Sequence, residues 1–254
     1  MTIILHIIVG MVMLLNSSQE KQVSETVYTY QLGSTKVPVV VTKYGNTEDI
    51  VMLNLHDNER TSVNAGKKVL AENGGMLIRI DNNNTRLISF ILDEKKYTFD
   101  PNRMFTRHGV EASLKLNSQS TPEAIDIVSR FADSLLARIP ANTEKLIALH
   151  NNDSSPGLSI HSYSPGGAYE KEATQVYVNF EKDPDDFFLS TTHPLFINVV
   201  TQGYNAILQN NKGMTDDGSL SVYMGLRNKA YINVEAEHGH EDEQTKMIQH
   251  LLKK

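Results

Sequence analysis

Three short apolar runs in this chain each end on a residue able to hold a metal ion or to work beside one. Residues 49–55 lead into His56, with Glu59 three residues on; residues 145–149 lead into His150; residues 230–234 lead into Glu235. β-Branched and aliphatic runs of this length are predicted as buried strands. In open α/β sheets, sites collect at the carboxyl ends of such strands. Two neutral imidazoles and one carboxylate form the three-ligand set of a catalytic zinc and leave the fourth position for water. A further carboxylate beside that water is the general base such chemistry requires. The chain is therefore expected to bring several strand ends together.

The segments between these runs supply the rest of the expected architecture. Residues 27–32 and 36–44 are predicted as a hairpin turned at Gly33-Ser34, and residues 61–73 as a helix stopped by Gly74-Gly75. Residues 76–80 are the next predicted strand. A turn at 82–84 follows, then two strands, 87–92 and 97–99, around a charged tip. The strongest helical signal covers 122–139. Thr121 can cap it, Pro122 suits its first position, and Ile125, Val128, Ala132, Leu135 and Ile139 recur at helical spacing. Beyond it the pattern predicts a strand at 145–149, a polar loop at 151–167 and a strand at 175–180. Helices are expected at 194–209 and 243–253, with strands at 220–224 and 230–234 between them. Alternating strands and helices give an α/β fold. With no repeat and no linker, residues 23–254 form one expected domain.

Composition narrows the function classes. The 254 residues are 40% hydrophobic and carry a net charge of −6, with no basic stripe, which excludes a nucleic-acid partner. Cysteine is absent, which excludes disulfides, thiolate metal sites and thiol nucleophiles. Residues 3–15 are apolar apart from His6. That run is short for a membrane span and has the length of a signal-peptide core, so residues 1–22 are expected to be a leader and the mature protein to be exported, periplasmic or secreted, with no stable membrane span. No Lys or Arg precedes the run, and an uncleaved anchor or a buried first strand are the other uses of such a segment.

His-x-x-Glu occurs four times, at His56/Glu59, His108/Glu111, His238/Glu241 and His240/Glu243. Context separates the first, because it joins an apolar strand to the start of a helix; the same residues could instead cap that helix. Asp100-Pro101-Asn102-Arg103 follows, then His150, then Glu235. Taken in order over residues 49–240, this pattern resembles the zinc carboxypeptidase superfamily, and most of all its branch containing succinylglutamate desuccinylase and aspartoacylase.

The resemblance implies a carboxypeptidase-like mixed sheet flanked by helices. It further implies zinc held by His56, Glu59 and His150, with Glu235 as the catalytic carboxylate. Asn102 and Arg103 would grip a substrate carboxylate, a task that suits the planar fork of arginine; the alternative for this pair is a solvated turn. Tyr223 and Arg227 match, in order, substrate contacts of the acylase branch, and could equally be a packed strand tyrosine and a turn arginine. Glu237 shares a strand face with Glu235 and competes with it for the role of base. His108 and His161 are expected at the surface, and His238 and His240 in a solvated acidic loop or an adventitious metal site.

Three departures stand out. Asp57 replaces Gly in the first motif, Pro101 replaces Leu in the second, and the family's carbonyl-polarising Arg has no evident counterpart. Lys95 and Lys96 lie where it is expected, and Arg79 is more distant. The pattern thus predicts a zinc-dependent hydrolase of an amide bond in a small peptide, acyl-amino acid or cell-wall fragment with a free carboxylate. The reading from another class is a non-catalytic peptide- or carboxylate-binding module on the same fold. Expression in a bacterial host should yield a mature N-terminus between Asn16 and Val23. N-terminal sequencing that returns Met1 on soluble protein would contradict the leader assignment.

Overall fold

Among the described residues, the apolar runs pair into one nine-stranded mixed sheet. The computed structural model describes residues 22–153 and 157–253; the expected leader lies outside them except for Gln22. The chain runs β1 (Val23–Leu32), β2 (Thr35–Tyr44), β3 (Val51–Asn54), α1 (Arg60–Asn73), β4 (Gly75–Ile80), β5 (Ile88–Leu92), β6 (Lys95–Phe99), α2 (Arg107–Asn117) and α3 (Pro122–Leu136). It continues through β7 (Leu146–Asn152), β8 (Ala173–Tyr177), β9 (Phe187–Ser190), α4 (His193–Thr201), β10 (Asn205–Gln209), α5 (Leu220–Leu226), β11 (Tyr231–Glu237) and α6 (Glu241–Leu252). The sheet order is β1-β2-β4-β3-β7-β11-β9-β10-β8, while β5 and β6 form a separate hairpin. Among the described residues, no helix is long and apolar enough to cross a membrane.

The four central strands, β4, β3, β7 and β11, are mutually parallel. Both of their faces are covered, so they read as continuous apolar runs instead of alternating ones. On one face Leu146, Ala148 and Tyr231 pack against α2 and α3 through Val110, Leu114, Val128 and Phe131. On the other, Ile147, Leu149, Ile232 and Val234 meet α1, α4 and α6 through Val69, Leu70, Val199 and Met247. Each such buried side chain contributes about 1.5–3 kcal/mol. The expected mixed α/β sheet with flanking helices is the observed architecture.

Several elements differ from the sequence expectation. The 122–139 helix ends at Leu136, and residues 137–139 continue only as tighter turns, with Arg138 and Ile139 N–H bonded three residues back. The expected helix over 194–209 is α4 followed by β10, broken at Gly203, whose φ is +80°. Apolar content alone does not separate a buried strand from a buried helix. Residues 220–224, expected as a strand, lie in α5, whose first turn is capped by the Ser219 hydroxyl accepting from Val222 N–H. α2 and the four-residue β9 were not anticipated. α2 is announced by its cap, Thr106, which accepts from Gly109 N–H.

Gly109 and Gly218 let two backbones meet beside the future site. A Cβ on Gly109 would lie 2.2 Å from the Gly218 Cα, and Gly218 itself has φ +77°. This contact holds residues 216–219 against Arg103. Gly109→Ala should destabilise the fold by about 1–3 kcal/mol, the usual cost of forced overpacking. A urea melt with an unchanged midpoint would contradict this.

Candidate metal centre

Strand geometry places the three strand-end residues together. His56 follows β3 by two residues, and His150 and Glu235 are direct register partners on the parallel strands β7 and β11. Because side chains alternate across a strand, His150 and Glu235 share the face of Ala148 and Asn233. Buried amides tie the segments: Asn54 Nδ2 donates to Leu149 O at 3.1 Å, and Asn151 Oδ1 accepts from Ser62 N–H at 2.8 Å. From α6, Gln244 Nε2 donates to His150 O and Val234 O.

Glu59 sits at the N-cap of α1 but makes no side-chain cap bond. Its carboxylate turns instead to both imidazoles. Glu59 Oε1 lies 2.8 Å from His56 Nδ1, and Oε2 lies 3.0 Å from His150 Nδ1. All three residues are buried, and one ligand atom from each lies within 4.8 Å of the others. The remaining ring nitrogen of His56, Nε2, is 2.7 Å from Asp100 Oδ1. A carboxylate behind a histidine is the usual support of a metal ligand, fixing ring orientation and raising basicity. His150 Nε2 is buried without a hydrogen-bond partner.

The electrostatics match this geometry. Burial works against a charged His56, but Glu59 and Asp100 outweigh it and raise the imidazole to about 9. Burial likewise opposes charge on Glu59 and Asp100, yet His56 and His150 hold Glu59, and His56, Arg86 and Arg103 hold Asp100, well below the usual carboxylate range. Two imidazoles and a buried carboxylate form a donor set that could hold a divalent metal ion. A buried carboxylate held between two imidazoles offers the donor atoms and the negative charge that a divalent ion needs, so the residues present fit a metal.

The cluster opens into a cleft of about 400 Å³, lined also by Arg86, Asn102, Arg103, Tyr163, Asp217 and Glu235. Glu235 is 7% exposed and accepts from Asn233 Nδ2 at 3.0 Å. Burial raises its pKa; His150 works against the shift and Glu59 adds to it. The Tyr163 hydroxyl, driven up by burial and by Glu235, stays neutral. Arg103 Nη1 donates to Asn102 O at 2.8 Å, and Nη2 faces Asp217 Oδ2 at 3.5 Å. Asn102 Oδ1 accepts from Leu220 N–H.

Other expected positions fall elsewhere. Tyr223 and Arg227 do not line the cleft. Because their segment is helical, residues four apart stack, and the Arg227 guanidinium lies 3.6 Å from the Tyr223 ring centroid. Glu237 points to a second, more open group with Asp183 and His240, while His238 stands at the cleft rim. His108 and His161 are exposed. Lys95 and Lys96 are exposed on the β5–β6 hairpin, and Arg79 faces Asp57 and Asp81, so none of the three cations expected near the scissile bond reaches the cleft. Arg86 does. Sequence reasoning also passed over the supporting role of Asp100, although it stands in the motif, and it passed over Tyr163 and Asn233, which carry no sequence signal.

No family model matches this chain, and no curated protein matches its sequence. Among solved structures it is similar to an aspartoacylase family protein from Mesorhizobium loti, at 16% identity and a TM-score of 0.46. It is also similar to the ectoine utilization protein EutE from Ruegeria pomeroyi, at 11% and 0.47, and to a succinylglutamate desuccinylase from Silicibacter sp., at 10% and 0.44. Each alignment covers 92% of this chain and 67% of the other. Likeness at this level assigns no activity.

Purified protein should carry about one zinc per chain, and His56→Ala and His150→Ala should each remove it. Zinc retained in both variants would point to the Asp183–Glu237–His240 group. Because the metal must displace the His56 proton, zinc affinity of the metal-free protein should climb with pH and level off above about 9. The metal-free cluster itself has the opposite dependence on its histidine: the raised His56 pKa adds stability below its ordinary 6.5 that is lost as pH rises through about 9. Calorimetric titrations across this range would contradict the assignment if zinc affinity were flat.

Proposed function

We propose that this chain is a zinc-dependent amide hydrolase of the carboxypeptidase-like kind, acting on a peptide, acyl-amino acid or cell-wall fragment with a free carboxylate. The observation that carries the reading is the juxtaposition of the buried His56–Glu59–His150 group with Glu235, its register neighbour, on the wall of one cleft. The resemblance of the motifs to the desuccinylase and aspartoacylase branch supports it.

His56, Glu59 and His150 would hold the ion, which supplies Lewis-acid activation of water and of a carbonyl when bound. Glu235 accepts the proton of the attacking water and delivers it to the leaving amine. Its burial serves this role, since burial raises its pKa and so makes the carboxylate a stronger base toward the water than an exposed glutamate. Arg103 and the amide N–H₂ of Asn102 orient the substrate through its carboxylate; Asp217, 3.5 Å from Arg103, is the counter-ion the substrate must share or displace. Tyr163, held neutral, lines the same cleft as Glu235. Export, if the leader is removed as expected, would bring such an enzyme to extracytoplasmic peptides and cell-wall fragments.

Glu235→Gln should lower turnover by roughly 10²–10⁴ while leaving zinc content unchanged, because the amide keeps size and hydrogen bonding but cannot accept the proton. Arg103→Ala should weaken free-carboxylate substrates about tenfold or more relative to their amidated analogues. Full activity in Glu235→Gln with none in Glu237→Gln would move the base two residues along β11. A parent protein that binds these compounds without turning any over would instead establish the binding-module reading, which the misplaced Lys95, Lys96 and Arg79 favour.

A further inference from the structure

At Asp57, where the first motif departs from the acylase pattern, the structure places an anchor. Asp57 follows the ligand His56 directly and is 2% exposed. Its Oδ2 accepts the backbone N–H of Asn82 at 2.8 Å and of Asn84 at 2.7 Å. Its Oδ1 faces Arg60 at 3.0 Å and Arg79 at 3.7 Å. A buried carboxylate receiving two backbone N–H groups and flanked by two guanidiniums fixes the segment that donates to it. That segment is a tight turn, with Asn83 and Asn84 both at positive φ, and Asn82 Nδ2 closes it by donating to Leu87 O.

Arg86 leaves this turn and enters the cleft. Its Nη1 lies 2.8 Å from Glu59 Oε1, its Nη2 lies 3.6 Å from Asp100 Oδ2, and the side chain is 48% exposed. Arg103 is the other guanidinium in the described lining, and it is turned toward Asp217 and Asn102 O. Arg86 is therefore the cation at the end of the cleft where His56, Glu59 and His150 converge. It touches the same Glu59 oxygen as His56. The side chain is half-exposed among the residues that line the cleft, so the guanidinium stands at the cleft wall beside this group.

We infer that Arg86 is the cation that stabilises the oxyanion developing on the scissile carbonyl, and that Asp57, through the 82–84 turn, is the residue that positions it. This rests on the hydrolase reading above. Water adds to the carbonyl carbon, forming a C–O bond as its proton passes to Glu235; the carbonyl π pair moves onto oxygen, where the Arg86 N–H groups accept the charge as hydrogen-bond donors. The C–N bond then breaks, the oxygen returns its pair to carbon, and the proton held by Glu235 goes to nitrogen, giving a carboxylic acid and an amine. Two departures from the family pattern, the Asp in place of Gly and the missing arginine, become one device.

The test uses the zinc-loaded full chain and the variants Arg86→Ala, Arg86→Lys, Asp57→Asn and the double variant Asp57→Asn/Arg86→Ala. It reads zinc content, kcat and KM on acyl-amino acids and muropeptides, and calorimetric binding of a phosphinic Ala-Ala dipeptide, whose tetrahedral anion mimics the oxyanion, against planar N-acetylalanine. Arg86→Ala should lose roughly 10²–10³ in kcat with KM and zinc content nearly unchanged. It should lose a similar factor in phosphinate affinity while N-acetylalanine binding holds. Arg86→Lys should recover part of both losses. Asp57→Asn should show a smaller loss of the same kind, and the double variant should be no slower than Arg86→Ala, because Asp57 acts through Arg86. Unchanged kcat and phosphinate affinity in Arg86→Ala would overturn the catalytic role. So would tighter zinc binding, which makes Arg86 a competitor for Glu59, or zinc loss, which makes it a brace. Additive losses in the double variant would overturn the anchor. Glu235→Gln run alongside separates the two readings: if it alone loses turnover, the hydrolase stands without Arg86, and a parent with no turnover at all removes the hydrolase itself.

Discussion

Keeping Glu59 ionised at 1% exposure is the constraint that the rest of the site answers. An isolated buried carboxylate costs several kcal/mol, so it must be paired and hydrogen-bonded or give up its charge. Here His56, His150 and Arg86 all converge on it. His56 in turn becomes a buried cation and needs Asp100 on its other nitrogen. Asp100 is then fixed by capping Asn102 N–H and by donating its own N–H to Ser113. One desolvated charge thus organises residues from the loop after β3, from β7, from the 82–86 turn and from the 100–102 segment that leans on α2.

The scaffold that holds this array is itself polar at its deepest point. Gln244, on α6, is fully buried and bonds to His150 O, Val234 O and the Asn151 amide. Asn151 also accepts from Ser62 in α1. The two helices behind the sheet are therefore tied to the strand ends that carry His150 and Glu235. Satisfied networks of this kind fix a geometry more sharply than apolar packing does, because a shifted register leaves several buried groups unpaired. Precision around His150 and Glu235 follows from that penalty, while the part of the cleft built from turns around Arg103 and Asp217 is more exposed.

Much of this was written in the sequence. The apolar runs before His56, His150 and Glu235 pointed to strands, since runs of five to seven mostly apolar residues flanked by turn formers are too short for buried helices and fit a central parallel sheet. Thr121-Pro122 and the period of Ile125, Val128 and Leu135 required α3. Whether Glu59 would cap α1 or turn to the histidines was not decidable locally, because the same carboxylate suits both uses. Its cap position is filled, but its side chain is turned away by partners 91 residues distant.

Tertiary structure alone decided the remainder. The sequence could place a strand at 230–234, but only its register against β7 set Glu235 beside His150 and sent Glu237 to another group. It could not tell α5 from a strand, and so could not know that Tyr223 and Arg227 would stack on each other outside the cleft. Nor could it find Arg86, which reaches Glu59 across 27 residues because Asp57 captures the backbone of a turn. Periodicity and end signals are local and survive in one dimension. Pairing register, the direction a loop takes and the partner of a buried charge are set by contacts between distant segments, and they exist only once the chain has folded.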